Sequence, residues 1–572
     1  MQKTLLSLLA LTTTLHALPL EERAAAPTVK IQNGTIIGST TLGVDNFKGI
    51  PFAEPPTGTN RLRPPQTISA SFGTITATAN APACPQFLSQ TDTSSLPSNV
   101  LGELGNSPLF QTVTSESEDC LFLNVQRPAG TSSDAQLPVL FWIFGGGFET
   151  GSAGMYDGSN FVTKSVSLKA PVIYVSVAYR VSGFGFLAGK QLSAEGSTNL
   201  GLRDQRLGLQ WVADNIGAFG GDPKKVTIWG ESAGSISVFD QTVINGGDNT
   251  YHGQALFRGA IMDSGSVTPA DPVTAPQAQA VFNTVAQNAG CGGNSNVLAC
   301  LRAAPYQTFL DATTSVPGIF SYRSLDLSYL PRPDPHDNFF SVSPEVSLLN
   351  GNYAKVPIII GDQQDEGTLF SLVLSNITTD AQFNDYLTSY FPGNPNAKAD
   401  VTGLLAQYPD QPLLGQPAGS PFDTGALNNI YPQYKRIAAV LGDIVFTITR
   451  RTYLHNVAQK VPAWSYLNTY FHGTPVLGTF HGSDILVAYG DGPLELALDA
   501  QTVQQYYIAF VNHLDPNALG TASPLIEWPQ WSNASGSPQL VDFAATGLST
   551  IPDTFRSNVY DYLVNRVSEF RV

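Results

Sequence analysis

Five stretches of this chain run apolar, broken only by Ser176 and Thr227: Leu137-Pro138-Val139-Leu140-Phe141-Trp142-Ile143-Phe144, Pro171 to Ala178, Val226 to Trp229, Gly259 to Met262, and Val356 to Ile360. A strand solvated on one face alternates apolar and polar positions, so such runs predict strands covered on both faces. Between the second and third runs, Arg203 to Ile216 sets Leu207, Trp211, Val212 and Ile216 at helical spacing. Strand, helix and strand in that order predict an α/β architecture, with a large, mostly parallel sheet flanked by helices. Ligands of such sheets sit beyond the carboxyl ends of the strands, so the residues that follow each run are the first candidates for chemistry. Asn394 to Gly425, rich in Pro, Gly and Asn, reads as an extended surface loop.

The third run ends in Gly230-Glu231-Ser232-Ala233-Gly234. A buried strand that stops in Gly-x-Ser-x-Gly is how a strand-to-helix turn presents a serine hydroxyl as a nucleophile, and the glycines suit a turn too tight for side chains. In 572 residues with 52 glycines the pentapeptide can arise by accident, so the chain must also supply the partners a serine needs. Acyl transfer needs backbone donors for a developing oxyanion, and Gly145-Gly146-Gly147-Phe148 follows directly on the first run. Three glycines there let N–H groups approach a substrate oxygen with no Cβ in the way. An acid and then a histidine must follow the serine in this architecture. The fifth run leads into Gly361-Asp362-Gln363-Gln364-Asp365-Glu366-Gly367-Thr368, where residue chemistry alone does not choose among Asp362, Asp365 and Glu366. His481, in the Gly-rich polar stretch Gly478 to Asp484, suits an active-site rim, with His472 a rival on composition. The other histidines, His336 among them, read as solvated or core residues, since no ligand-like cluster surrounds them.

Features outside these runs point to export. Met1 to Ala17 carries Lys3, an apolar core from Leu5 to Leu11 and a small residue at Ala17, and reads as a signal peptide cleaved between Ala17 and about Ala26. No later run approaches the apolar length that spans a bilayer, so no integral membrane association is expected. Cys84, Cys120, Cys291 and Cys300 are even in number, lack metal-ligand spacing and allow three pairings, of which the sequence-local Cys84–Cys120 and Cys291–Cys300 are favoured. Asn33-Gly34-Thr35, Asn376-Ile377-Thr378 and Asn533-Ala534-Ser535 are glycosylation sequons. With 42% hydrophobic and 13% charged residues and neither repeat nor linker, residues 18–572 are expected to form one large domain with long insertions. A net charge of −16 argues against nucleic acid and anionic membranes as partners, since both reward Lys and Arg.

Taken together, Glu118-Asp119-Cys120-Leu121-Phe122-Leu123-Asn124-Val125, the Gly145-Gly146-Gly147-Phe148 turn, Gly230 to Gly234 and Asp365-Glu366-Gly367-Thr368 resemble the type-B carboxylesterase/lipase family of α/β-hydrolases. Leu477-Gly478-Thr479-Phe480-His481 and the local two-disulfide layout are most similar to its secreted fungal lipases of the Candida and Geotrichum type. The resemblance runs from about Val29 to the C-terminus, with its motifs in the family's order. It implies the α/β-hydrolase fold, a catalytic triad of Ser232, Glu366 and His481, oxyanion donors at the N–H groups of Gly146, Gly147 and Ala233, and no metal or cofactor.

In the fungal lipases the loop that matches Cys84 to Cys120 is a lid. Here it carries Phe87, Leu88, Leu96, Val100, Leu101 and Leu104, with a short amphipathic helix expected at Asn99 to Leu104, which predicts opening at a lipid interface. The cholinesterase branch holds a quaternary ammonium on a tryptophan in this loop, and residues 85–119 contain none, which argues against choline esters. One departure is Asp263-Ser264-Gly265, where the lipases usually carry Gln-Ser-Gly. Ionised, that carboxylate would raise the pKa of His481; held by hydrogen bonds, it would be silent. The expected protein is thus a secreted serine lipase acting on long-chain acylglycerols at an interface. The alternatives are a carboxylesterase or sterol esterase and, more distantly, a non-catalytic binding module of the same fold.

Overall fold

The computed structural model describes residues 25–87, 113, 115–414, 425, 427–490, 497–520, 524–534 and 536–572, with backbone alone at 497–500. Among them eleven strands form one sheet: β1 (Ser39–Thr41), β2 (Val44–Pro51), β3 (Phe122–Pro128), β4 (Leu137–Ile143), β5 (Ile173–Val177), β6 (Gly221–Glu231), β7 (Gly259–Asp263), β8 (Ile358–Gln363), β9 (Ala463–Asn468), β10 (Gln539–Ala544) and β11 (Gly547–Pro552). The spatial order is β11-β10-β9-β8-β7-β6-β4-β5-β3-β2-β1. The strands from β10 across to β5 run parallel, and antiparallel pairs finish both edges.

The five apolar runs become β4 to β8 in order, and every residue of β5, β7 and β8 is buried, which is why those runs show no alternation. Helix α1 (Leu200–Asn215) occupies the stretch expected to be helical, and α2 (Ala233–Val243) follows β6 directly. Strand β9 is also buried throughout, but Ser465 and Asn468 interrupt its apolar pattern. Ser465 accepts a hydrogen bond from buried Arg450 at 2.8 Å, a partner that only the fold supplies.

The reading of Asn394 to Gly425 as an extended loop is corrected. Ala397–Leu405 is a helix whose Ala397, Val401, Leu404 and Leu405 are buried. That spacing of four, three and one is a helical face, and the turn residues around it hid the pattern. Disulfides join Cys84 to Cys120 and Cys291 to Cys300, with Cα separations of 4.9 and 5.7 Å. The candidate lid helix at Asn99 to Leu104 and the segment Met1 to Ala17 lie outside the described residues. Asn376 and Asn533 are exposed, whereas Asn33 is half-buried and its amide donates to the Ile68 carbonyl at 3.2 Å. Among the described residues no helix is long and apolar enough to cross a membrane.

Two of the apolar clusters among the described residues make most of the core. The larger surrounds the sheet and α2, and the smaller is built from Ile319, Leu325 and residues between Leu369 and Ile448 with Val476, Leu477, Phe480, Val559, Leu563 and Phe570. A cavity lies where they meet, since Ala233 and Ile236 of the first and Ile319, Phe370 and Phe446 of the second all line it.

Candidate active site

Ser232 stands between the end of β6 and the start of α2 at φ 57°, ψ −125°, a conformation that costs a non-glycine residue on the order of 1–3 kcal/mol. The glycines two positions away on either side allow this, because they lack side chains. A Cβ on Gly230 would lie 2.4 Å from the Gly234 carbonyl oxygen, and one on Gly234 would lie 2.1 Å from that of Ile143. The elbow therefore packs directly on β4. The Ser232 N–H donates to the Asp263 carbonyl at 2.9 Å, and the Ser235 hydroxyl donates to the Gly265 carbonyl at 2.7 Å, which ties the elbow to the end of β7.

Two loops at the carboxyl edge of the sheet complete the arrangement. His481 Nε2 lies 2.7 Å from Ser232 Oγ, and His481 Nδ1 lies 2.5 Å from Glu366 Oε2. The other Glu366 oxygen accepts the N–H of Gln363 at 2.7 Å, which fixes the carboxylate's orientation. All three side chains are buried. The rings of Phe370 and Phe446 lie 5.0 and 4.5 Å from the imidazole and help keep water from it.

The rival residues have other work. Asp362 pairs with buried Arg450, and His472 bonds Gln364 at 2.8 Å. Asp365 exchanges hydrogen bonds with Thr479, its N–H donating to the Thr479 carbonyl and its Oδ2 accepting the Thr479 N–H, both at 2.9 Å. It thereby holds the acid loop against the histidine loop. Spacing along the chain carries none of this, because which acid faces His481 depends on how two loops from different strands meet.

Gly146 and Gly147 follow β4 at φ 112° and φ 64°, and the Gly146 carbonyl accepts the N–H groups of Glu149 and Thr150, both at 3.0 Å. No hydrogen bond among the described residues takes the N–H of Gly146, Gly147 or Ala233. Gly147, Ser232 and Ala233 share the cavity wall, so donors and hydroxyl face one space.

A buried acid cluster behind the histidine escaped the sequence reading. Glu231 Oε1 lies 3.4 Å from His481 Nε2. Burial, with Asp484, Glu366 and Asp263 nearby, pushes the Glu231 carboxyl well up; burial and its acidic neighbours do the same to Asp484. Asp263 accepts from Trp229 Nε1 at 2.6 Å, Tyr507 at 2.7 Å and Tyr466 at 2.9 Å. Burial still raises Asp263 to about 6, against the pull of those three donors. The three donors make Asp263 the member of the cluster best able to hold a charge. Glu231 and Asp484 stood inside quoted motifs, yet nothing local marked them as neighbours.

The cavity at Ser232 opens to solvent and spans about 1020 Å³ with the solvent at its mouth included. Its lining includes Ile236, Val267, Leu325, Leu330, Phe370, Phe391, Ile448 and Phe570; among the described residues polar side chains enter at Ser232, Thr268, Tyr390, Thr449 and Thr452, and no charged side chain does. Fold and constellation together define a carboxylic ester hydrolase of the α/β-hydrolase class. The chain belongs to the carboxylesterase family, whose sequence model matches residues 25–557. It is 55% identical over 560 residues to secreted lipase 1 of Botryotinia fuckeliana, a match covering 97% of this chain and 95% of that one. It is 49% identical over 551 residues to a secreted triacylglycerol lipase of Gibberella zeae, covering 95% and 91%. Among solved structures it is similar to EstA of Aspergillus niger, with a TM-score of 0.77 at 25% identity over 95% of this chain and 99% of that one. Like the first two, the protein is a secreted enzyme.

Proposed function

We propose that the protein is a lipase that hydrolyses long-chain acylglycerols through a Ser232–His481–Glu366 triad. The observation that carries the substrate class is the cavity at Ser232, apolar and, among the described residues, free of charged side chains. Each buried methylene contributes about 0.8 kcal/mol, so every added acyl carbon improves kcat/KM by about fourfold until the cavity is filled. The relatives named as lipases support the same reading.

His481 Nε2 takes the Ser232 proton as the hydroxyl attacks the ester carbonyl, and Glu366 holds the proton on Nδ1 and stabilises the imidazolium. The N–H groups of Gly146, Gly147 and Ala233 receive the tetrahedral oxyanion, so that its charge meets backbone donors at the wall of the apolar pocket. His481 then gives the proton to the leaving alcohol. Water, activated by the same imidazole, releases the fatty acid and restores Ser232. The exposed Asn376 and Asn533 are the sequons we assign to glycans, rather than Asn33 with its engaged amide.

The test is a rate series over emulsified triglycerides and soluble esters from short to long acyl chains, with Ser232→Ala as control. A rise with chain length that vanishes in Ser232→Ala supports a lipase. A steep preference for short soluble esters overturns the lipase reading and leaves a carboxylesterase, and a preference for sterol esters over glycerides makes it a sterol esterase.

A further inference from the structure

Glu149 follows the oxyanion turn and stands where three segments meet. Its N–H donates to the Gly146 carbonyl at 3.0 Å, closing the turn, and its carbonyl accepts the N–H of Phe87 at 2.9 Å. Its Oε2 accepts the N–H of Ile319 at 2.8 Å. The Ile319 side chain in turn fills the space beside Gly147, with Cδ1 2.6 Å from where a Gly147 Cβ would be. The φ of 64° favours glycine at Gly147, and Ile319 is the wall against which its peptide rests.

The carboxyl that anchors this wall is 1% exposed. Phe87 and Gly318 pack beside it, Tyr329 is the titratable group that faces it, and no cation among the described residues does. Its Oε1 has no hydrogen-bond partner among the described residues. A charge there would rest on one N–H in a dry site, which favours the neutral acid. Burial accordingly pushes the carboxyl up to about 8, against the pull of the Ile319 N–H.

We propose that Glu149 is a positioning residue that works in its neutral form: the protonated carboxyl holds Ile319 against Gly147 and so sets the place of the Gly147 N–H, and ionisation at alkaline pH hydrates the carboxylate and releases that support. This rests on the reading of Gly147 as an oxyanion donor. The enzyme then carries an alkaline limb that belongs to Glu149 and not to the triad.

The experiment is the pH profile of initial rates on a soluble ester, each enzyme normalised to its own plateau, with return to neutral pH restoring activity to separate the limb from unfolding. Wild type is expected to lose rate above about pH 8, and Glu149→Gln, which keeps the shape and cannot ionise, to shift that limb upward by about a unit or more. Glu149→Ala is expected to lower plateau kcat by about 10- to 100-fold with KM within about threefold, the scale of a displaced donor, and Glu149→Gln to recover most of that loss. A wild-type limb unmoved in Glu149→Gln, or a wild-type profile flat to about pH 10, overturns the proposal. Should Glu149→Ala fail to fold, the Glu149→Gln profile decides alone. Ser232→Ala separates the two levels: an active Ser232→Ala sinks the active-site reading itself, while an inactive one beside an unmoved Glu149→Gln limb sinks only the role of Glu149.

Discussion

Glu366→Gln asks which of the three acids serves His481, since it keeps the side-chain shape and removes the charge and one acceptor. Glu366 now accepts twice, from the Gln363 N–H at 2.7 Å and from His481 Nδ1 at 2.5 Å. An amide has one acceptor oxygen, and the fixed N–H of Gln363 takes it. The amide nitrogen then faces Nδ1, which must accept rather than donate. The ring proton moves to Nε2, which donates to Ser232 Oγ and leaves the hydroxyl without a base. Turning the amide over restores an acceptor at Nδ1 but sets the amide nitrogen against the Gln363 N–H in a buried site, at about 1–3 kcal/mol, so the flip limits the loss without removing it. We expect kcat to fall by about 10²–10⁴, a barrier rise of about 3–5 kcal/mol, with KM little changed because the cavity is untouched. Steady-state hydrolysis of a soluble chromogenic ester measures this, with Asp365→Asn as the neighbouring control. The control keeps an acceptor for the Thr479 N–H and should stay within about tenfold of wild type. A Glu366→Gln enzyme within tenfold of wild type, or an Asp365→Asn enzyme equally damaged, would refute the assignment.

Gly234→Ala should lower both melting temperature and activity. Its Cβ would meet the carbonyl oxygens of Ile143 at 2.1 Å and Phe144 at 2.7 Å, both backbone, and relief must come at about 1–3 kcal/mol or more; thermal melts and ester hydrolysis that match wild type would show the elbow to be looser than described. Asp263→Asn bears on the buried acid cluster. With its folded pKa raised to about 6 from 3.8, Asp263 keeps its proton in the native state over a pH range where the unfolded chain has released it, so wild-type stability falls as pH rises through that window. Urea midpoints between about pH 4 and 6 should therefore fall less steeply in Asp263→Asn, and a slope equal to wild type would place the ionisation elsewhere in the cluster.

The amino-acid sequence by itself determined the sheet's centre, the serine elbow and the glycine turn. These are local: an apolar run such as Leu137 to Ile143 is read from its own residues, and the Gly230 to Gly234 turn needs small residues at its own positions. The helix at Ala397–Leu405 was equally local, and its apolar face was masked by the prolines and glycines around it. Choosing among acids and histidines was different in kind, because family resemblance named Glu366 and His481 where residue chemistry could not. Only the tertiary structure brings β8, β9 and their loops together so that Glu366 meets His481 while Asp365 is drawn to Thr479 and Asp362 to Arg450. The same holds for Glu149, Glu231 and Asp484. A carboxyl's chemistry is set by what surrounds it, and here the surroundings come from segments far apart in the chain: Ile319 for Glu149, His481 for Glu231, Tyr466 for Asp263. Desolvation and partner geometry are properties of the packed chain, so no reading of residue order could supply them.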